Sequence, residues 1–259
     1  MKLKMYQVDA FAKNVFEGNP AAVCPLEEWL DDVIMQKIAN ENNLSETAFF
    51  VQEEGGYRIR WFTPSSEVDL CGHATLASAY VLFELINIKE EEIVFQSKSG
   101  ALRVSKKGET YQMDFPALEF KESAIPDNVA KAFDKKVVAC YSSMDYIVVF
   151  ENEDDVANAN VNLELLKEID VRGVIITARS EQYDFVNRMF APKYGIDEDP
   201  VTGSAFTQLI PYWKQVLNKT SFIAKQVSQR GGEVFCEIEG ERVYISGYAV
   251  KYLEGTIEI

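Results

Sequence analysis

His73 is the only histidine among 259 residues, and it stands in the run Asp69-Leu-Cys-Gly-His-Ala-Thr75. An imidazole is the side chain best suited to gain and lose a proton near neutral pH, so a single one beside a glycine suggests acid/base work or a proton relay. With no second histidine to share an ion, no metal is expected. Cys71 lies two residues before it. A hydrolytic Cys–His pair normally meets in space from separate elements, so this spacing argues against one. Cys71 therefore stands either as a thiol activated at a helix start or as a buried structural one. Glu46 is the third residue of interest. It heads the apolar stretch Ser45-Glu-Thr-Ala-Phe-Phe-Val51, where burial would raise a carboxyl pKa and suit it to proton abstraction and return.

The segment around His73 recurs in altered form. Arg60-Trp-Phe-Thr-Pro64 leads to Cys71-Gly-His-Ala, and Arg188-Met-Phe-Ala-Pro192 leads to Thr202-Gly-Ser-Ala205. The arginines are 128 residues apart and the glycines 131, close to half the chain. Each leader is followed by an aspartate, Asp69 or Asp199, read as balancing a helix start. Gly72 and Gly203 then open apolar segments with helical spacing. An uncapped helix start offers backbone N–H groups and partial positive charge, a setting for a carboxylate. A duplicated fold whose histidine is not duplicated implies one site made from two unequal halves, in a cleft between them.

Composition excludes several functions. A net charge of −15 opposes nucleic acid and anionic membrane surfaces as partners, because phosphate binding needs a basic footprint. A small anionic substrate remains compatible, since a helix start or one arginine sets a local potential. Cys24, Cys71, Cys140 and Cys236 form no CxxC pair, which fits a reducing compartment. No signal peptide opens the chain and no uncharged run is long enough to span a bilayer, so a cytoplasmic protein is expected.

The elements that must hold these residues follow from periodicity. Met5–Ala10, Ser45–Val51 and Tyr57–Phe62 read as strands, and a helix is expected from Glu27 to about Glu41, ended by Asn42-Asn43. His73–Ile86 is apolar on nearly every face and is expected as a buried helix. Its counterpart, Ser204–Leu217, contains Pro211, which is expected to kink it. Around both helices lie short strands at 93–96, 102–105, 111–115, 146–150, 174–178, 185–190, 233–237 and 242–248. The pattern predicts an α+β protein of two pseudo-symmetric halves, 1–117 and 118–259, each a barrel-like sheet around a central helix.

Taken together, Gly18-Asn-Pro-Ala-Ala-Val23, Asn43-Leu-Ser-Glu-Thr-Ala48, Cys71-Gly-His-Ala-Thr75, Glu198-Asp-Pro-Val-Thr-Gly-Ser-Ala205 and Gln229-Arg-Gly-Gly232 resemble the PhzF-like phenazine biosynthesis family, in order along the whole chain. The resemblance implies the diaminopimelate epimerase-like fold and a cofactor-free isomerase working as a homodimer. In the phenazine enzyme a glutamate shuttles a proton on trans-2,3-dihydro-3-hydroxyanthranilate, and that glutamate matches Glu46. The family's site histidine, aspartate and serine match His73, Asp199 and Ser204. Asn19 falls in a motif whose asparagine lines the cleft, and the backbone at Gly72 and Gly203 would hold a carboxylate.

Two departures stand out. Racemases of this fold face two thiols across the cleft, yet Asp199-Pro-Val-Thr-Gly203 has no cysteine nearby. Many relatives carry histidine after Gly-Ser-Ala, where this chain has Phe206, a change expected to alter the pocket. The reading is therefore a proton-shifting isomerase. Its rivals are a non-catalytic binding or interaction protein on the same fold, and an amino-acid racemase using Cys71 with a non-thiol partner.

Overall fold

Strand β1 (Lys2–Ala10) buries Leu3, Tyr6 and Val8 while Lys2 and Lys4 face water, and β2 (Asn19–Leu26) is buried almost throughout. Such unequal patterning separates a strand with one face toward water from one covered on both faces. In the computed structural model, which describes residues 1–259, two compact units emerge: Met1–Asp114 with Ser246–Ile259, and Phe115–Ile245.

In the first unit, α1 (Asp32–Asn42) links β2 to β3 (Glu46–Glu53), and those two strands pair in parallel. A parallel pair requires such a crossover. β3 then turns into the antiparallel β4 (Gly56–Phe62), followed by the two-residue β5 (Glu67–Val68) on the same edge. The central helix α2 (Gly72–Tyr80) is the crossover from β4 to the parallel strand β6 (Glu92–Ser97). β7 (Gly100–Lys107) and β8 (Thr110–Pro116) continue antiparallel. Successive residues of β3 point to opposite faces. Phe49 and Val51 join Met35 and Ile38 of α1, so Glu46, Ala48 and Phe50 share the other face. Residues His73 to Ala79 of α2 are all buried.

The second unit repeats the plan. β9 (Lys121–Ser123), α3 (Asp127–Ala132), β10 (Ala139–Ser142) and β11 (Tyr146–Val149) come first. Helices α4 (Glu153–Ala157) and α5 (Leu163–Lys167) form the crossover from β11 to its parallel partner β12 (Val174–Arg179). β13 (Phe185–Ala191) runs antiparallel to β12, with β14 (Ile196–Asp199) on its edge. The central helix α6 (Gly203–Leu217) crosses from β13 to the parallel β15 (Ser221–Gln226), and β16 (Gly232–Glu239) and β17 (Arg242–Gly247) follow. Trp213 of α6 stacks on Phe185 at 5.1 Å and donates from Nε1 to Thr177 Oγ1 at 3.1 Å.

The last strand, β18 (Ala249–Glu258), pairs with β1 along its length. Ser246–Ile259 therefore belongs with the first unit, whereas a division into 1–117 and 118–259 had assigned the whole C-terminus to the second. Hydrogen bonding across β1 decides this, and no feature within residues 246–259 announces it.

Three local expectations also change. α1 begins at Asp32, because the Asp31 side chain accepts from the Val33 N–H and sets the cap there. The helix expected over 73–86 is α-helical only to Tyr80 and continues as a π turn, Val81–Ile86, closed by Asn87 in the left-handed conformation. α6 runs through Pro211 without a break. Proline leaves the carbonyl four residues back without its helical donor. That carbonyl, Thr207 O, accepts from Leu118 N at 2.9 Å instead.

Gly18, just before β2, has φ +64, and a Cβ there would lie 2.1 Å from the Ala10 carbonyl oxygen. Gly18→Ala is expected to destabilise the protein by about 1–3 kcal/mol, from left-handed backbone strain plus that collision. Thermal unfolding checks it. An unchanged midpoint would contradict the close approach.

Candidate functional site

β3 delivers Glu46 and α2 delivers His73 to the same place. Glu46 is the first residue of its strand and His73 the second of its helix. Both are buried, at 9% and 5% exposure. His73 Nε2 lies 3.0 Å from Glu46 Oε2. The two atoms form a buried ion pair with no further hydrogen-bond partner. Taking two charged groups out of water is costly, and such pairs concentrate at functional sites. On the other side of the ring, Cys71 Sγ is 3.5 Å from Nδ1. Asn19 is fully buried at the start of β2, opposite Ala10. Glu46 pairs with Ala21, two residues along the same strand.

Electrostatics couples the three. Burial by itself would lower the His73 pKa, but Cys71 and Glu46 together drive it well above the usual 6.5. Burial and the Glu46 charge push the Cys71 thiol up to about 11. Cys71 is thus a neutral thiol near pH 7, and the charge that favours imidazolium is that of Glu46. The α2 dipole, which opposes imidazolium, is outweighed by a carboxylate at 3.0 Å. Glu46, Cys71 and His73 place one donor atom each within 4.8 Å of one another. Because sulfur and carboxylate flank opposite ring nitrogens, one ion cannot take all three as they stand. The arrangement suits proton movement through the ring.

All four cysteines are buried and unpaired. In native protein at pH 7, Cys71 is expected to resist an aromatic disulfide reagent that reacts promptly after unfolding. Fast native labelling lost in Cys71→Ser would contradict the elevated thiol pKa.

Asp199, Gly203 and Ser204 group together in the second unit. Asp199 ends β14 and accepts from Thr202 Oγ1 at 2.6 Å, which fixes the turn into α6. Gly203 and Ser204 are the first residues of α6. Neither Cys71 at the α2 cap nor Thr202 at the α6 cap uses its side chain to cap the helix. Ser204 Oγ accepts from Arg172 Nη1 at 3.0 Å, a partner with no place in the sequence reading. Phe206 is fully buried against Phe185 at 6.2 Å, so the departure from histidine is absorbed in core packing.

The repeated arginines serve structure. Arg60 binds both Glu67 oxygens at 2.8 and 3.0 Å and lies 5.2 Å over Phe62. Arg188 binds both Glu198 oxygens at 2.7 and 2.9 Å and lies 5.0 Å over Phe190. In each unit the Arg-x-Phe pair clamps the strand edge that leads into the central helix. The acid that matters is Glu67 or Glu198, neighbouring the aspartates singled out from the sequence.

Residues 8–255 match the family of phenazine biosynthesis-like proteins, PhzC-PhzF. The chain belongs to that family. An uncharacterized isomerase of Pseudomonas aeruginosa is 49% identical, with both chains covered completely. A crystal structure of a PhzF-family protein from Enterococcus faecalis superposes with a TM-score of 0.98 at 48% identity, over 100% of each chain. A hydroxyproline epimerase from Agrobacterium vitis shares only 9% identity but has a TM-score of 0.66 over 99% of this chain and 92% of its own. The PhzF fold of this chain is thus the epimerase-like α+β fold. No helix in it is long and apolar enough to cross a membrane.

Proposed function

We propose that this PhzF-family protein is a cofactor-independent isomerase that moves a proton on a small carboxylate-bearing substrate. The observation that carries the proposal is the buried ion pair of Glu46 Oε2 and His73 Nε2, 3.0 Å apart. Glu46 as carboxylate accepts a proton from an activated C–H. The electron pair left behind enters the adjoining unsaturated system, and the proton returns at another carbon from Glu46 or through His73. No atom is gained or lost and no oxidant is needed. Asn19, Asp199, Gly72, Gly203 and Ser204 are assigned to binding and positioning, a role supported by the family motifs and by the two uncapped helix starts.

The substrate is proposed as trans-2,3-dihydro-3-hydroxyanthranilate or an analogue, on the strength of the family resemblance. The same support extends to a homodimer in the cytoplasm. Cys71 is a poor racemase base, since burial and Glu46 hold its thiol near 11 and α6 begins without a cysteine.

The test is deuterium incorporation. In D2O, the protein should wash deuterium into at least one member of a panel of unsaturated small carboxylates that includes the dihydroanthranilate. Retention of every carbon-bound proton by compounds that bind would favour a non-catalytic binding protein. Incorporation at an amino-acid α-carbon, lost in Cys71→Ser, would favour the racemase.

A further inference from the structure

The second residue of α2 is His73 and the second of α6 is Ser204. Each touches a charged residue at the head of the strand reached by the preceding crossover. For His73 this is Glu46, which begins β3. For Ser204 it is Arg172, two residues before β12. The same place in the fold thus carries a carboxylate in one unit and an arginine paired with a buried aspartate in the other.

Arg172 is held by groups buried beneath it. Its Nε and Nη2 donate to the two oxygens of Asp145 at 2.9 and 2.5 Å. Asp145 is fully buried and also accepts from Gln208 Nε2 at 2.5 Å, while its own N–H donates to Gln208 Oε1 at 3.1 Å. A planar fork gripped in this way keeps one orientation. Of the five guanidinium N–H groups, three are used by Asp145 and Ser204, which leaves one on each terminal nitrogen. The Arg172 side chain is 32% exposed, whereas that of Asp145 is 0%. The desolvation of Asp145 is offset by its paired bonds to Arg172 and the further bond from Gln208.

We infer that Arg172 is the substrate-anion residue of this protein: it fixes the Ser204 hydroxyl and presents its remaining N–H groups to a carboxylate at the start of α6. The assignment rests on the proposed action on a carboxylate-bearing substrate. Asp145 and Gln208 are positioning residues acting through Arg172.

Benzoate serves as the probe and benzamide as its uncharged control, with amide NMR shifts of Gly203 and Ser204 as the readout. Wild-type protein should show a saturable shift with benzoate and none with benzamide. Arg172→Gln should weaken benzoate roughly tenfold to a hundredfold, the worth of a charge-assisted hydrogen bond. Arg172→Lys should not restore it, because an ammonium cannot span Asp145 and Ser204 together. If Arg172→Gln leaves buried Asp145 too costly to fold, the double variant Asp145→Asn with Arg172→Gln removes both charges and should show the same loss. Benzoate binding as tight in the folded variants as in wild type would overturn the inference, as would benzamide shifting these amides equally, or no benzoate shift in wild type. Deuterium wash-in failing while Arg172-dependent benzoate binding persists would instead defeat the isomerase reading alone.

Discussion

Glu46→Gln is expected to lower deuterium wash-in by about 10²–10⁴-fold, the usual worth of a positioned general acid/base, while the fold stays intact. Glutamine keeps the shape and the hydrogen-bonding reach of the side chain but cannot take a proton. Glu46 heads β3 with Ala48 and Phe50 on the same face, and its backbone pairs with Ala21 in β2, so the strand is anchored independently of the carboxylate. Binding of a carboxylate ligand should change little, because the loss falls on the chemical step. Exchange rates on any substrate that washes in, beside a thermal melt, give the answer. Full activity in Glu46→Gln would remove Glu46 from the mechanism. His73→Gln should also slow exchange, through the partner that shares the proton.

Arg188→Met is expected to produce the largest loss of stability outside the core, about 3–5 kcal/mol. Arg188 side-chain exposure is 13%, and it binds Glu198 through two nitrogens. Its Nη1 also donates to the carbonyls of Val156 and Ala159 at 3.2 and 3.0 Å. Removing it leaves Glu198 unpaired and two carbonyls without a donor. Lysine cannot reproduce the fork, so Arg188→Lys should recover only part of the loss. Because Glu198 precedes Asp199 in β14, the variant should also loosen the turn into α6. Chemical unfolding measures the first effect, and broadening of the Gly203 and Ser204 amide signals measures the second. A change below about 1 kcal/mol, the scale of an exposed ion pair, would mean that the repeated Arg-x-Phe motif does not clamp the strand edge.

The two central helices were legible because glycine followed by apolar residues at helical spacing is a strong local signal, and α2 and α6 begin at the two glycines it marks. β3 and β4 were legible from a short apolar run, Ala48-Phe-Phe-Val51, and from alternation over Tyr57–Phe62. Arg172 and Asp145 were not. They meet across 27 residues and reach Ser204 and Gln208 across 32 and 63, and no local pattern encodes such contacts. One signal was available: aligning the repeat on its glycines places Ser204 on His73 and invites a search of the segment before Val174 for the counterpart of Glu46. Glu67 and Glu198, the acids that hold the leader arginines, lie one or two residues before Asp69 and Asp199, and no local signal distinguishes a clamping acid from one at a helix start. The C-terminal strand was missed because pairing with β1 is a long-range property. The partner of the carbonyl freed by Pro211 is equally illegible, since it is Leu118, far away in sequence.

His73 supplies a single, unambiguous imidazole signal for NMR. With Glu46 at 3.0 Å, it should titrate well above 6.5. In Glu46→Gln the anion is gone, so the value should fall. Stability follows with a fixed sign. A folded pKa raised above the unfolded one means that the native state binds more protons between the two values. The pair's contribution is complete below pH 6.5 and is lost as pH rises through the folded value. A high His73 pKa that drops on Glu46→Gln is the predicted result of the titration. A value at or below 6.5 in wild type, or one unmoved by the substitution, would contradict the coupled Glu46–His73 pair.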